Sequence, residues 1–397
     1  MTTFTIKTYT ENVERMYKLF DGEKLSQLVS LRDAHVPDWS YLSDYSPPDI
    51  ADVVQDSCGK KPIYKLIVGH LLCVKALYDK EYLEAYGQQN QCIKATLMLL
   101  NLTEQNWCLP LLHTVCLELR LLAEKTEASL KQSHGYVLEM CSEVILSCFK
   151  ICAADPKSDE QTKKLAMLYL AIQLFKVYFR LNKIHLHEPL AKAIHDTGYE
   201  LWEKFPLKQK ITYKYFLGRI AMFSLKNRLA DELLSYVFDA CHGKTQKKLV
   251  LTYLIPVKMM LGYMPNVHLL EKYDLLQYLG LMVVIKDGDL KGFNEVMEEH
   301  ESFFISAGIY FIVEQLKVIA FRNLFRKVYL ARNDSEIAFI DLLAALRMKG
   351  HDYVNSDEVI SILANLISER KLRGWMSYKL KKLFVCELDP FPQLITI

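Results

Sequence analysis

Long hydrophobic runs are missing from this sequence of 397 residues. The most apolar stretch, residues 249–264, is interrupted by Pro256 and Lys258, whereas a membrane-spanning helix needs about 20 consecutive apolar residues. The N-terminal residues also lack the apolar core and the small-residue cleavage site of a secretory signal. We therefore predict that the chain has no membrane span and resides in the nucleus or the cytoplasm.

Cys-x-x-Cys pairs are absent as well, although the chain contains ten cysteines. Disulfides are rare in reducing compartments, where thiols usually stay free. Cys141, Cys148 and Cys152 have the spacing of one helical face. This pattern predicts buried free thiols rather than a disulfide framework.

Catalytic signatures are the third absence. The sequence has no nucleophile elbow, no phosphate-binding P-loop and no dinucleotide-binding glycine motif after a strand. His300 and Glu301 begin a zinc-protease motif, but Phe304 occupies the position of its second imidazole. His185 and His187 are two residues apart, which is the wrong spacing for two metal ligands on one helical face. Cys241 and His242 are adjacent in the chain, which makes a thiolate–imidazole pair geometrically unfavourable. We predict no enzymatic activity, no cofactor and no metal site.

Charge is unevenly distributed along the chain, whose formal net charge is only +2. Residues 33–59 contain six aspartates and no lysine or arginine, whereas residues 204–270 contain eleven basic and three acidic residues. Residues 315–333 contain five basic residues and residues 370–386 contain six, with no acidic residue in either segment. The basic second half indicates an acidic partner or a polyanion, and solvated surface is the alternative.

Apolar residues repeat with helical periodicity up to about residue 330. Small residues twelve positions apart, Gly218 with Ala230 and Cys73 with Ala85, resemble the close-approach positions of degenerate tetratricopeptide repeats. The fold class that we predict is mainly α: a solenoid of helical hairpins that ends in a winged-helix subdomain. The predicted segments are N-terminal helical repeats at 1–204, a second helical part at 205–334 and the winged helix with the C-terminal tail at 335–397.

The last 60 residues carry the winged-helix pattern. Ser335 is positioned to cap a helix from Glu336 to about Met348, and Asn355 is positioned to cap a second helix. After Arg370 the apolar period changes to two, which predicts a first strand around residues 372–378 and a second at 383–386. Two helices followed by a two-stranded hairpin are the order of a winged helix. The expected inward residues are Phe339, Leu343, Leu346, Val359, Leu363, Leu366 and Ile367.

Basic and aromatic residues coincide in this terminal region. Arg322 and Arg326 lie one helical turn apart, with Lys327 beside them. The predicted hairpin adds further basic residues and two aromatic residues, which are Arg373, Lys379, Lys381, Lys382, Trp375 and Tyr378. Cations neutralise phosphates and exposed rings stack on unpaired bases, so we predict binding of RNA or single-stranded nucleic acid. The alternative is that the rings pack the hairpin onto its helices and that the lysines are solvated surface.

Helical repeats followed by a winged helix resemble the PCI domain of proteasome-lid, signalosome and translation-initiation-factor subunits. The segments NWCLPLLHTVCLELR (106–120), ITYKYFLGRIAMF (211–223), YLIPVKMMLGYMP (253–265), LKVIAFRNLFRKVYL (316–330) and DPFPQL (389–394) narrow the resemblance. Over nearly the whole chain they resemble the PCI-domain subunits of the nuclear transcription–export complex, which have a yeast counterpart in mRNA export.

This resemblance implies a non-enzymatic adaptor of an mRNA-export complex in the nucleus, including the nuclear pore, with the cytoplasm as a further location. It implies a hetero-oligomer with a large PCI scaffold, the germinal-centre-associated nuclear protein in animals. It also implies a small acidic partner, the split-hand/split-foot-deleted protein, around the helical repeats, and RNA or single-stranded nucleic acid on the paired winged helices. A structural subunit of a signalosome-like or splicing-associated complex, with protein partners only, is the alternative function.

The resemblance also assigns residues. Nucleic-acid contacts are implied for Arg322, Arg326, Lys327, Lys371, Arg373, Lys379, Lys381 and Lys382. Partner contacts are predicted for Trp375 and Met376 and, on charge alone, contacts with the acidic partner for Lys208, Lys210, Lys214 and Arg219. Many PCI domains have an aspartate after the apolar residue of the first wing strand, where this chain has Ser377 after Met376. The PCI-domain contact made by that aspartate is therefore not expected here.

Overall fold

The computed structural model describes all residues except 1–4, 33–35, 37–41, 43–44, 60, 104, 131–134, 158, 352–353 and 395–397. It divides into two compact units, Met1–Tyr213 and Lys214–Ile397. The expected helical fold with a winged-helix end is confirmed. The three-segment division stays a prediction, and the acidic segment 33–59 lies partly outside the described residues.

Helices account for nearly all of the first unit. Their bounds are α1 Ile6–Lys18, α2 Gly22–Leu28, α3 Pro47–Cys58, α4 Tyr64–Tyr78, α5 Tyr82–Leu102, α6 Leu109–Ser129, α7 Tyr136–Ala153, α8 Met167–Arg180, α9 Glu188–His195 and α10 Tyr199–Lys204, with short 3₁₀ helices at Lys163–Ala166 and Ile184–His187. From α4 to α8 each helix packs on the next one in the chain. Successive packing with short connections is the arrangement of stacked helical hairpins.

The first unit buries its thiols as expected. Cys141, Cys148 and Cys152 lie on one face of α7 and have no exposed surface, and every cysteine in the chain is free. The thiol of Cys73 on α4 lies 3.4 Å from the carbonyl oxygen of Ala85 on α5. This close approach fits the small residues that the repeat pattern requires at these positions.

A buried carboxylate, that of Glu118, lies near the middle of α6 and is contacted by Gln89 of α5. Glu118 is 3% exposed and accepts hydrogen bonds from the Leu31 amide at 2.7 Å and the Ser30 hydroxyl at 3.1 Å. The Gln89 amide nitrogen lies 3.3 Å from the second carboxylate oxygen. The buried amide oxygen of Gln89 has no hydrogen-bond partner among the described residues. Burial raises the pKa of Glu118 to about 7, although the three donors oppose this shift.

Helices also build most of the second unit, and α11 Leu207–Phe223 includes residues assigned to each unit. The remaining helix bounds are α12 Asn227–Ala240, α13 Lys244–Met260, α14 Val267–Tyr273, α15 Gln277–Asp287, α16 Leu290–Glu299, α17 Glu301–Ser306, α18 Tyr310–Gln315, α19 Lys317–Arg332, α20 Phe339–Met348 and α21 Ser356–Ser368. A Cβ on Gly218 would lie 2.8 Å from the side chain of Leu234, so the glycine allows α11 and α12 to approach. None of the described helices is long and apolar enough to cross a membrane.

The C-terminal subdomain holds a three-stranded antiparallel sheet. Its strands are β1 Glu336–Ala338, β2 Gly374–Ser377 and β3 Lys382–Val385, in the order β1-β3-β2. The expectation of a helix beginning at Glu336 and a sheet of two strands was therefore wrong. Ile337 of β1 is fully buried, and β3 bonds to both ends of β1, through the Val385 amide to the Ser335 carbonyl and the Phe339 amide to the Lys381 carbonyl. These backbone bonds to distant residues outweigh the local helical pattern.

The core of this subdomain packs the inner face of the sheet on α19, α20 and α21. Leu342 and Leu346 are the fully buried residues of α20, whereas the predicted Leu343 is only partly buried. Asn355 caps α21 as expected, through the Glu358 amide at 2.9 Å. The core residues include Leu324, Phe325, Ile337, Phe339, Leu342, Leu346, Val359, Leu363, Leu366, Leu383 and Val385 from the helices and strands, with Leu372 from the segment between α21 and β2.

Candidate nucleic-acid interface

Arg322 on α19 is buried inside the chain, with 6% of its surface exposed. Its Nε donates to the Lys371 carbonyl at 3.2 Å, and its Nη2 donates to the carbonyls of Phe391 and Pro392 at 3.0 and 2.6 Å. Burial, with Arg326 nearby, lowers the pKa of Arg322 to about 10, and Asp389 partly opposes the shift. This guanidinium holds the C-terminal tail against α19. Its burial does not favour the predicted phosphate contact.

The tail contributes a second set of contacts. The ring of Phe391 is 8% exposed and lies 5.9 Å from the ring of Tyr329 on α19. The Pro390 carbonyl accepts from the Arg373 amide at 2.8 Å, which ties the tail to the start of β2. A Cβ on Gly262 would lie 3.0 Å from the Leu394 side chain. The tail therefore contacts α19, the segment just after α13 and the start of the β2–β3 hairpin, which is the wing of the winged helix.

Arg326 and Lys327 lie one turn beyond Arg322 and are exposed. Lys327 forms an ion pair with Asp287 at 3.3 Å. Arg326 makes no ion pair or hydrogen bond with its side chain to any described residue. Arg326 therefore remains available to an external anion.

The strand β2 fits against β3 because its first residue is glycine. A Cβ on Gly374 would lie 2.3 Å from the Phe384 carbonyl oxygen and 3.1 Å from the Val385 Cα. Met376 points to the inner face and packs on the subdomain core. Its predicted role as a partner contact stays a prediction.

Trp375 lies on the outer face, directly opposite Phe384. The two rings are parallel, with an interplanar angle of 8° and centroids 4.1 Å apart. Trp375 is 59% exposed, and Tyr378 in the following turn is 72% exposed. Neither ring is buried against the helices, so the alternative that they pack the hairpin does not describe this structure.

The basic residues of the wing fall into two groups. Arg373 pairs with Asp389 at 3.3 Å, Lys382 pairs with Glu336 at 2.9 Å, and Lys371 pairs with Glu369. The hydrogen bond to Glu336 raises the pKa of Lys382. The second group, Lys379, Lys381 and Arg370, is exposed and forms no side-chain hydrogen bond or ion pair within the described part of the chain.

Arg370 was missed as a site residue. The sequence count of residues 370–386 includes it, and its position between α21 and β2 leaves it exposed with a φ of 57°. In contrast, the exposed face of α21 carries no base. Its exposed residues are Asp357, Glu358, Ser361, Asn365, Ser368 and, just past the end, Glu369. The helix that would enter a DNA groove therefore repels phosphates, which does not favour readout of bases in the major groove.

The four basic residues implied for an acidic partner lie on α11. Within the first unit, Lys208 is exposed, and Lys210 pairs with Glu203 at 3.4 Å. Within the second unit, the ammonium of Lys214 lies 3.7 Å from the ring centroid of Tyr236, and the guanidinium of Arg219 lies 4.3 Å from that of Tyr253. These ring contacts hold the side chains in place. Their partner-binding role stays a prediction.

No group of three or more histidine, cysteine or acidic side chains among the described residues is arranged to hold a metal ion. His300 lies at the junction of α16 and α17, where its ring contacts Phe304.

A family model for the PCI domain matches residues 297–386, which include α19, the winged helix and its sheet. A Drosophila melanogaster protein named PCI domain-containing protein 2 homolog is 40% identical to this chain, with 98% of this chain and 99% of the relative aligned. PCI domain-containing protein 2 of Xenopus laevis is 36% identical over the full length of both chains.

The chain belongs to the PCI domain-containing protein 2 family. A more distant relative from Neurospora crassa, named Protein CSN12 homolog, is 26% identical over 72% of both chains. Members of the wider PCI class are generally non-catalytic scaffold subunits of larger assemblies. The chain therefore has the architecture of a complex subunit, and its basic wing and α19 lie inside the matched PCI domain.

Proposed function

We propose that this chain is a non-catalytic adaptor subunit of a nuclear transcription–mRNA export complex at the nuclear pore. It pairs through its PCI domain with a large PCI scaffold of the germinal-centre-associated nuclear protein type. A small acidic chain of the split-hand/split-foot-deleted type binds the helical repeats, and the basic winged helix binds RNA or single-stranded nucleic acid.

One observation supports the RNA-binding part most directly. Arg326, Arg370, Lys379 and Lys381 are exposed cations without an acidic partner among the described residues. Two of them lie in the turn between β2 and β3, next to the exposed rings of the wing. Isolated cations on a surface are free to neutralise phosphates and release counterions. Arg322 is not included in the proposed surface, because its guanidinium is used by the tail.

The test is a salt titration of RNA binding by the full-length chain and by the complex purified with it. Replacing Lys379 and Lys381 together by glutamate is expected to weaken binding at least tenfold at 100 mM salt, roughly as expected for losing two phosphate contacts. The plot of log affinity against log salt should also become shallower, by about 0.7 per lost contact. Lys7→Glu with Lys192→Glu is the matched control, because both lysines are exposed and neither forms an ion pair with a residue that the structure describes. Equal RNA affinity for the two double variants would refute the proposed surface.

The second candidate is a structural subunit of a signalosome-like or splicing-associated complex with protein partners only, and the similarity to the Neurospora crassa Protein CSN12 homolog favours it. In that case the basic wing would meet acidic protein surface. Tagged purification from nuclei, with mass identification of the co-eluting chains, separates the candidates. Recovery of a large PCI scaffold together with RNA supports the adaptor, and recovery of signalosome-like subunits without RNA supports the alternative.

A further inference from the structure

The outer face of the winged-helix sheet is open, and an aromatic pair lies on it. Successive residues of a strand point to opposite faces, so Trp375 and Ser377 of β2 share a face with Phe384 and Lys382 of β3. The opposite face carries Met376, Leu383 and other core residues. The described helices of the subdomain pack on that inner face. The outer face is therefore available to a ligand.

Trp375 has unusual surroundings for a large aromatic residue. One face of its indole is stacked in parallel on Phe384 at 4.1 Å, yet the residue is 59% exposed. Phe384 already fixes the plane of the indole. A second flat group can therefore bind its free face without a further loss of side-chain conformational entropy. Exposed aromatic rings held in place in this way provide stacking platforms for single-stranded nucleic acids.

Charge favours one kind of flat ligand. The β2–β3 turn begins after Ser377 and carries Lys379 and Lys381, neither of which is paired within the described residues. Lys382, on the same face as the rings, has its charge shared with Glu336. A ring platform beside unpaired cations complements a base with its attached phosphates. Bases in a duplex are stacked on one another and cannot offer a free face.

We propose that Trp375 is a base-stacking platform, supported by Phe384, which makes the wing selective for single-stranded nucleic acid. This inference rests on the proposed RNA-binding function and adds the chemistry of its selectivity. Lys379 and Lys381 attract any phosphate chain, whereas Trp375 recognises the presence of an unpaired base.

The test compares three labelled probes on the full-length chain and on the complex purified with it: a 12-nucleotide oligouridylate, an abasic strand of the same length and a 12-base-pair RNA duplex. Trp375→Ala is expected to weaken oligouridylate binding about tenfold, within the range measured for loss of one stacked base. Binding of the abasic strand should change less than twofold. Trp375→Phe keeps a ring and should restore most of the lost affinity. Tyr199→Ala removes a similarly exposed aromatic residue of the first unit and serves as the matched control.

Four outcomes would overturn the inference or its basis. Equal oligouridylate affinity for Trp375→Ala and the unaltered chain removes the platform, while salt-dependent binding would still uphold the RNA-binding function. If Trp375→Ala weakens binding of the oligouridylate and of the abasic strand equally, Trp375 only supports the fold of the wing. Loss of scaffold co-purification with unchanged oligouridylate binding shows that a protein partner covers the ring. Absence of salt-dependent binding to any probe by the unaltered complex overturns the RNA-binding function itself.

Discussion

Removing the Arg322 guanidinium should release the C-terminal tail from the winged helix. Arg322→Ala leaves the carbonyls of Lys371, Phe391 and Pro392 without the donors that now lie 2.6–3.2 Å away. A hydrogen bond to a charged group contributes about 1.5–3 kcal/mol, and released tail carbonyls can rehydrate. We therefore expect the free energy of unfolding of the second unit to fall by about 3 kcal/mol. For a unit of this size the melting temperature should fall by about 6–12 °C.

Urea unfolding and scanning calorimetry would measure this loss. Arg326→Ala is the matched control, because Arg326 is one turn away on the same helix and its side chain bonds to no described residue. The control should change the free energy of unfolding by less than about 0.5 kcal/mol. Hydrogen exchange of the amides around Arg373 reports on the tail directly, since the Arg373 amide donates to Pro390.

A double-mutant cycle decides whether Arg322 acts through the tail. Deleting residues 391–397 removes the carbonyls of Phe391 and Pro392 and should cost a comparable amount. The two changes together should cost little more than either one. The reasoning is wrong if the losses of unfolding free energy caused by Arg322→Ala and by the deletion are additive. It is also wrong if Arg322→Ala unfolds within about 0.5 kcal/mol of the unaltered chain.

Three further outcomes follow from the packing and the titratable groups. Gly288→Ala should destabilise the second unit by at least 1 kcal/mol more than Gly308→Ala. Both glycines have positive φ, but of the two only Gly288 would place a Cβ against another backbone, 2.8 Å from the Leu324 amide nitrogen. Equal losses of stability for the two variants in calorimetry would contradict this reasoning. Gly374→Ala should separate β2 from β3 and lower the melting temperature of the same unit, and an unchanged value would contradict the close approach. The pKa of Glu118 is about 7 in the folded state, above its usual 4.5, so the folded state binds more protons than the unfolded state between these pH values. The free energy of unfolding should therefore fall by on the order of 2 kcal/mol as the pH rises from 4.5 to 7. Glu118→Gln should abolish that slope in urea unfolding, and an identical slope in both proteins would refute it.

Much of the helical architecture could be predicted because its signals are local. The apolar period of α7 predicts its buried face, and the cysteines on that face are indeed buried. Asn355 caps its helix as its position indicates. The interval from Gly218 to Ala230 marked a helix pair that does pack closely, since Gly218 touches Leu234 and Ala230 is fully buried.

The start of the winged helix could not be predicted in the same way. Residues 336–338 have no strand pattern of their own and were expected to begin α20. Their state is decided by β3, more than 40 residues later, which supplies hydrogen bonds to both ends of the segment. A local pattern carries no information about such a distant partner.

By itself, the sequence determined the helical class, the winged-helix end and the concentration of positive charge in the C-terminal region, because periodicity and composition are properties of neighbouring residues. Only the tertiary structure decided which cations are available. Arg322 and Arg326 have the same chemistry and lie on adjacent turns of α19, yet Arg322 bonds to carbonyls 69 and 70 residues away and Arg326 remains in solvent. The physical reason is that a guanidinium is buried only where the folded chain brings acceptors to it.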